Sequence, residues 1–225
     1  VYRAVRALEA ETGQQLPAEF ELRKEIPMAA GLGGGSSDGA AALRMVASLY
    51  GLELEQERLL ELAAGIGADV PFFMVPGPQL ARGAGESLTA VDIGFDYSLV
   101  VVAPAAAIAA AEVYRLYDEV CSPDAGAFEE ESQRLLKSIE GLDGPGALAG
   151  ILHNDLEPVA VKLCPEVAYI KEELLSLGAL AAQVSGSGPA VFGIFEGTGG
   201  AAGAARALSR PRRRTWAARP WRSIL

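Results

Sequence analysis

The run Gly31-Leu32-Gly33-Gly34-Gly35-Ser36-Ser37 sets four glycines and two serines into seven residues, directly before a strongly helix-forming stretch that reaches Tyr50. No other feature constrains the fold as much. Ordering glycine in regular structure costs roughly 0.5–1 kcal/mol relative to alanine, so four grouped glycines need a reason. Glycine takes positive φ and leaves no side chain between backbone N–H groups and a ligand. The unpaired N–H groups and dipole of the following helix favour an anion, typically by ~0.3–2 kcal/mol. Ser36 and Ser37 add hydroxyls at the same place. The pattern predicts a phosphate cradle. A turn in which Ser36 or Asp38 merely caps the helix is the simpler account, yet one capping residue explains neither the number nor the grouping of the glycines.

Two familiar phosphate-binding spellings are excluded. The chain has no Gly-Lys-Ser/Thr, so the P-loop pattern fails, and Ser36 stands where a dinucleotide fingerprint beginning at Gly31 and Gly33 needs its third glycine. The cradle belongs to neither nucleotide fold.

With 225 residues, half of them hydrophobic and 21% charged, the chain is long enough for one large or two small packed domains. A net charge of -10 opposes nucleic acid or an anionic membrane as main partner. The exception is the tail, where Arg206, Arg210, Arg212, Arg213, Arg214, Arg219 and Arg222 crowd together without an acidic neighbour. This reads as a solvated end or a charge-balanced closing element. The longest apolar run, Leu99 to Ala111, is broken by Pro104 and is shorter than the roughly 18–20 residues of a membrane span. Cys121 and Cys164 lie far apart without metal-ligand spacing, which reads as a reduced, cytoplasmic protein. His153, the sole histidine, receives no metal or catalytic role.

Periodicity predicts a helix through Tyr2, Val5 and Leu8 before Gly13, a strand over "EFELRKEI" ending at Pro27, and helices over Ser36 to Tyr50 and Gln56 to Ile66, closed by Gly51 and Gly67. "DVPFFMV" and "QLARGAG" read as short extended segments around a Pro-Gly-Pro turn. Beyond them come the strand "YSLVVVAP" and helices near Ala109 to Val120, Phe128 to Ile139, Asp155 to Leu163 and Glu166 to Leu177. The strands "ALAAQV" and "AVFGIF" flank "SGSGP", followed by a helix near Ala201 to Leu208 and the strand "RTWAA". Cys121 to Ala127 is the best candidate loop, and Asn154 with Glu157 has capping-box spacing. Helix and strand mixed in two blocks predict an α+β protein of two layers.

"PMAAGLGGGSSDGAAAL" resembles the second motif of the kinases named for galactose, homoserine, mevalonate and phosphomevalonate, the GHMP kinases. "GADVPFF", "ARGAGESLTAV", "HNDLEPVA", "GALAAQVSGSGPAVFGIF" and "TWAARP" resemble the branch acting on a cytidine diphosphate-linked methylerythritol in non-mevalonate isoprenoid precursor synthesis. The resemblance covers almost the whole chain. It implies a two-domain fold, with a ribosomal-protein-S5-like ATP-binding domain over residues 1–95 and a ferredoxin-like domain over 96–225. It further implies that Pro27, Met28, Ala29, Ala30, Gly31, Leu32, Gly33, Gly34, Gly35, Ser36 and Ser37 hold the triphosphate of ATP, with Mg2+ accompanying it. Asp69 matches the catalytic aspartate that accepts the proton of the attacking hydroxyl. On its own residues Asp69 also reads as a helix-end or turn residue before Pro71. Ser185, Gly186, Ser187 and Gly188 match the third motif, read either as a ligand-contacting loop or as a tight hairpin.

The implied activity is phosphorylation of a small alcohol. The alternatives are a homoserine or mevalonate acceptor, or a nucleotide-binding protein without catalysis. Members of the family begin with a further segment that carries a lysine near the aspartate and most of the cytidine-recognition groups, and nothing here matches it. The expectation is a chain truncated at its start, with an incomplete first domain, prone to aggregate and nearly inactive alone. Metal ligands and oligomeric state receive no assignment from the sequence.

Overall fold

The computed structural model describes residues 1–83, 85, 87–120, 125–197 and 199–221, with backbone only over 125–132. The chain divides into two compact units. The first holds Val1–Ile26 and Gly33–Asp92; the second holds Pro27–Leu32 and Ile93–Pro220.

In the first unit, helix α1 (Tyr2–Thr12) buries Ala4 and Leu8 and ends at Gly13, whose φ of 66° lets its N–H reach the carbonyl of Glu9. Helix α2 (Gly34–Leu49) buries Ala40, Leu43, Val46 and Ala47, and helix α3 (Gln56–Ile66) buries Ala63. This apolar stripe at spacings of three and four joins Leu8, Leu16, Val70 and Met74 in one core. Each fully buried leucine contributes roughly 1.5–3 kcal/mol. Strands β1 (Gln79–Arg82) and β2 (Ser87–Ala90) pair as an antiparallel hairpin.

Two expectations fail in this unit. Residues 19–26 form no strand: no ladder pairs them among the described residues, and Leu22 and Ile26 stay exposed, so the alternation buries no face. "DVPFFMV" is not extended, because Pro71 opens a 3-10 turn (Pro71–Met74) in which the Phe73 N–H reaches the Val70 carbonyl. Proline's fixed φ and missing N–H suit a first helical position, and that outweighs the strand preference of the aromatics.

The second unit is built on strand β3 (Tyr97–Pro104), whose Val100 and Val102 are fully buried at alternating positions. Helices α4 (Ala110–Val120), α5 (Ala125–Glu140), α6 (Pro145–Gly150), α7 (Glu157–Leu163) and α8 (Glu166–Ser176) follow. Strands β4 (Ala181–Val184) and β5 (Val191–Glu196), helix α9 (Gly199–Leu208) and strand β6 (Arg213–Ala218) complete the unit. The sheet is antiparallel with strand order β4-β5-β3-β6, a ferredoxin-like arrangement. Val167, Ile170 and Leu174 of α8 point into its core with Val100, Val191 and Phe195. α6 has no counterpart in the sequence reading, since four glycines within Gly144 to Gly150 and its flank at Gly141 conceal a helix started by Pro145. Of the expected loop, Ala125 to Ala127 belong to α5, and Cys121 to Asp124 lie outside the described residues.

Within the arginine-rich tail, Arg213 and Arg210 are charge-balanced. Arg213 bonds Glu166 at 2.7 Å and also Glu173, which Arg210 joins. Burial pushes the Glu173 carboxyl up, but the hydrogen bonds and charges of Arg213 and Arg210 outweigh it and hold it below the ordinary carboxylate range.

Candidate active site

Residues Pro27–Leu32 form the part of the glycine loop that belongs to the second unit. Three successive carbonyls are tied down. The carbonyl of Ala29 accepts from the Ile108 N–H at 3.2 Å, that of Ala30 from the Ala190 N–H at 3.0 Å, and that of Gly31 from the Ser185 hydroxyl at 2.9 Å. Ala29 holds a positive φ of 53°, unusual for a residue with a side chain. In a trans peptide the carbonyl and the next N–H point in opposite directions. The N–H groups of Gly31 and Leu32 therefore face away from their anchors, and among the described residues neither has a protein acceptor. Under the loop, Ala30 packs with Ala103 and Ala190 beside Leu32 and Trp216, small residues that permit the close approach.

Its partner, Ser185 to Gly188, is a tight turn joining β4 to β5, with Ser185 N–H on the Ala190 carbonyl and Gly188 N–H on the Ser185 carbonyl. A Cβ on Gly31, where φ is 75°, would stand 2.1 Å from the Ser185 carbonyl oxygen and 2.7 Å from the Gly188 nitrogen. The hairpin reading of this motif is correct, and the hairpin holds the loop.

In the first unit the loop continues into α2. Its N-cap is Gly33, with φ at 63° and no side-chain cap, so the account in which Ser36 or Asp38 caps the helix is wrong. Asp38 is occupied by an ion pair with Lys24. The N–H groups of Gly33, Gly34, Gly35 and Ser36 donate to no protein acceptor among the described residues, whereas that of Ser37 is used by the Gly33 carbonyl at 2.9 Å. The glycines differ in purpose. A Cβ on Gly33 would press on the Phe73 ring at 2.6 Å and one on Gly34 on Ile26 at 2.9 Å, but one on Gly35 would meet nothing within 4 Å. Gly35, Ser36, Gly39, Ile66, Val70 and Arg3 border a cavity of about 490 Å³, and Arg3 caps the Ile66 carbonyl at 3.3 Å.

Asp69 lies between Ile66 and Val70, two residues bordering that cavity; it is exposed, and its side chain has no hydrogen-bond partner among the described residues. The tip of the β1-β2 hairpin touches the preceding backbone: a Cβ on Gly85 would stand 2.8 Å from the Ala68 carbonyl oxygen. No group of three or more His, Cys, Asp or Glu side chains able to hold a metal occurs among the described residues. His153 pairs with Asp155 at 2.7 Å on the surface.

Sequence reasoning misplaced Asn154. It forms no capping box, because the N-cap of α7 is Leu156 and Glu157 bonds Lys171 and the Val184 N–H. The Asn154 side-chain carbonyl accepts from the Leu156 N–H, while its amide donates to the carbonyls of Val184 and Gly186, each at 2.9 Å. Only the approach of β4, distant in sequence, reveals that role.

Residues 1–77 match the GHMP kinases N terminal domain and residues 133–213 the GHMP kinases C terminal region. Over 223 residues the chain is 40% identical to the 4-diphosphocytidyl-2-C-methyl-D-erythritol kinase of Geobacter sulfurreducens, covering 99% of this chain and 75% of that protein.

The chain belongs to the GHMP kinase family.

A second relative of the same name, from Pelotomaculum thermopropionicum, is 43% identical over 194 residues, 86% of this chain and 66% of that one. This GHMP kinase chain thus spans about two thirds to three quarters of the length of these curated relatives. A crystal structure of 4-(cytidine 5'-diphospho)-2C-methyl-D-erythritol kinase superposes with a TM-score of 0.75 at 35% identity, over 99% of this chain and 78% of that one. Homoserine kinase from Cytophaga hutchinsonii gives a TM-score of 0.80 at 18% identity, over 97% and 75% of the two chains, which shows the shared GHMP kinase fold.

Proposed function

We propose that this GHMP kinase transfers the γ-phosphoryl group of ATP to the 2-hydroxyl of 4-diphosphocytidyl-2-C-methyl-D-erythritol, giving the 2-phosphate and ADP in the cytoplasm. The observation that carries the reading is the row of N–H groups at the start of α2 that meet no acceptor among the described residues, beside a glycine, Gly35, whose added Cβ would meet none of their atoms. Oriented N–H groups at a helix start stabilise phosphate charge without reorganising. The named relatives, 40% and 43% identical, supply the acceptor.

In this reading Pro27 to Ser37 hold the triphosphate, and Asp69 receives the proton of the attacking hydroxyl as the new P–O bond forms and the bond to ADP breaks. Phosphoryl transfer has a loose transition state, so a weak base suffices once position and charge are right. Mg2+, when bound with ATP, would supply charge neutralisation to the phosphate groups. The Ser36 hydroxyl, at the border of the cavity, is a hard oxygen of the kind that ion takes. Ser185 to Gly188 support the loop from beneath.

A coupled ADP-release assay with ATP, Mg2+ and one alcohol at a time tests the acceptor. The cytidine diphosphate-linked alcohol should stimulate release and homoserine or mevalonate should not; preference for either of those would overturn the assignment. Gly35→Ala tests the cradle. Alanine is the better helix former and meets no protein atom, so the melting temperature should hold or rise. ATP affinity should fall about tenfold or more, equal to ~1.4 kcal/mol, because the methyl enters space kept for phosphate. Unchanged ATP affinity by isothermal titration would remove Gly35 from the site.

A further inference from the structure

We infer that Asn154 is a positioning residue for nucleotide phosphate, acting through the Ser185 to Gly188 turn on the N–H groups of Gly31 and Leu32. β4 is an edge strand, and Val184 pairs with Val191 in the register that points its own N–H and carbonyl outward, away from β5. Side chains meet both groups: Glu157, paired with Lys171, accepts from the N–H, and the Asn154 amide donates to the carbonyl. The second amide hydrogen of Asn154 goes to the Gly186 carbonyl, inside the turn. One planar group therefore fixes both the last residue of the strand and the second residue of the turn. The Asn154 amide cannot swing away, because its own oxygen is bound by the Leu156 N–H.

From the turn the constraint passes on directly. Ser185, between the two clamped carbonyls, donates to the Gly31 carbonyl, and Ala190, just beyond the turn, donates to that of Ala30. A carbonyl held on one side of a peptide plane sets the following N–H on the other. Asn154 thus sets the direction of the Leu32 N–H through two hydrogen bonds, without touching the ligand itself. Preorganised donors lose their value when displaced by even an ångström, which is why so remote a clamp matters.

This role rests on the phosphate-cradle reading of Gly31 to Ser36, and one titration series separates the two. ATP binding to the full chain is measured by isothermal titration for the parent and for Asn154→Asp and Asn154→Ser. Aspartate and serine both keep an acceptor for the Leu156 N–H. Aspartate turns the donating amide into an oxygen facing two carbonyls, and serine is too short to reach them. The dissociation constant for ATP should rise roughly tenfold or more in both variants. Amide exchange at Ser185 and Ala190, whose N–H groups are hydrogen-bonded within the turn and to the loop, should quicken, while His153→Ala changes neither readout. Irreversibly misfolded protein would lower the binding stoichiometry and leave the constant alone, and reversible unfolding would raise the constant only by the inverse of the folded fraction, which a thermal melt supplies. If Asn154→Asp fails to fold, the serine variant carries the test. A parent that binds and variants that bind as tightly would overturn the role of Asn154 alone. A parent without ATP binding would overturn the cradle reading, and the inference with it.

Discussion

Gly31→Ala is expected to lower the melting temperature by roughly 5–15 °C and to abolish measurable ATP binding. Two costs add. At φ 75° an alanine occupies the left-handed region, costing about 1–2 kcal/mol, and its Cβ would lie 2.1 Å from the Ser185 carbonyl oxygen and 2.7 Å from the Gly188 nitrogen. Both obstacles are backbone and cannot rotate aside as a side chain does. Relief requires the loop to part from the turn, at an overpacking cost of about 1–3 kcal/mol. That movement breaks the Ser185 bond to Gly31 and disturbs the Ala190 bond to Ala30. Thermal melts with isothermal titration decide the matter, with Gly35→Ala as the paired control. The same methyl, four residues further on, should spare stability and affect only the ligand. A Gly31→Ala protein with parental melting and binding would mean that the loop does not sit against the turn.

Asp69→Asn should reduce turnover by about 10²–10⁴-fold while leaving ATP affinity and the melting temperature close to those of the parent. The contrast follows from the surroundings of Asp69. Its side chain is exposed and holds no hydrogen bond among the described residues, so the amide disturbs no packing and should change stability by no more than about 0.5 kcal/mol. What is lost is the capacity to accept a proton. Steady-state ADP release, set beside direct titration of ATP, separates the two quantities. Turnover within a few-fold of the parent would show that the acceptor hydroxyl loses its proton elsewhere.

Much of the architecture was legible because it depends on local pattern. α1, α3 and α8 follow from helix-forming stretches rich in apolar residues, and β3 from an unbroken run of valines bounded by Pro104, since neither signal needs information from distant chain. The glycine run announced unpaired N–H groups, and Gly33 as a bare N-cap bears that out. What could not be read depended on partners. Residues 19–26 have the composition of a strand, but a ladder needs a neighbour. Pro71 sits inside a segment that reads as extended and instead opens a 3-10 turn. Asn154 and Glu157 had the spacing of a cap. Their side chains were taken by the outward face of Val184, which lies 30 and 27 residues away. Among the glycines, sequence could not distinguish Gly31, Gly33 and Gly34, which neighbouring atoms require, from Gly35, which none does.

The division of the loop between the units also bears on when it acquires its shape. Residues 27–32 are made well before their anchor, since the hydroxyl that fixes Gly31 lies 154 positions later. Among the described residues β3, at the centre of the second sheet, pairs with β5 and β6, both made after β4. Such distant pairings carry a large loop-closure entropy and form late. The glycine segment therefore cannot take its final geometry until the β4-β5 turn, 154 residues further along, has been made and has docked against it.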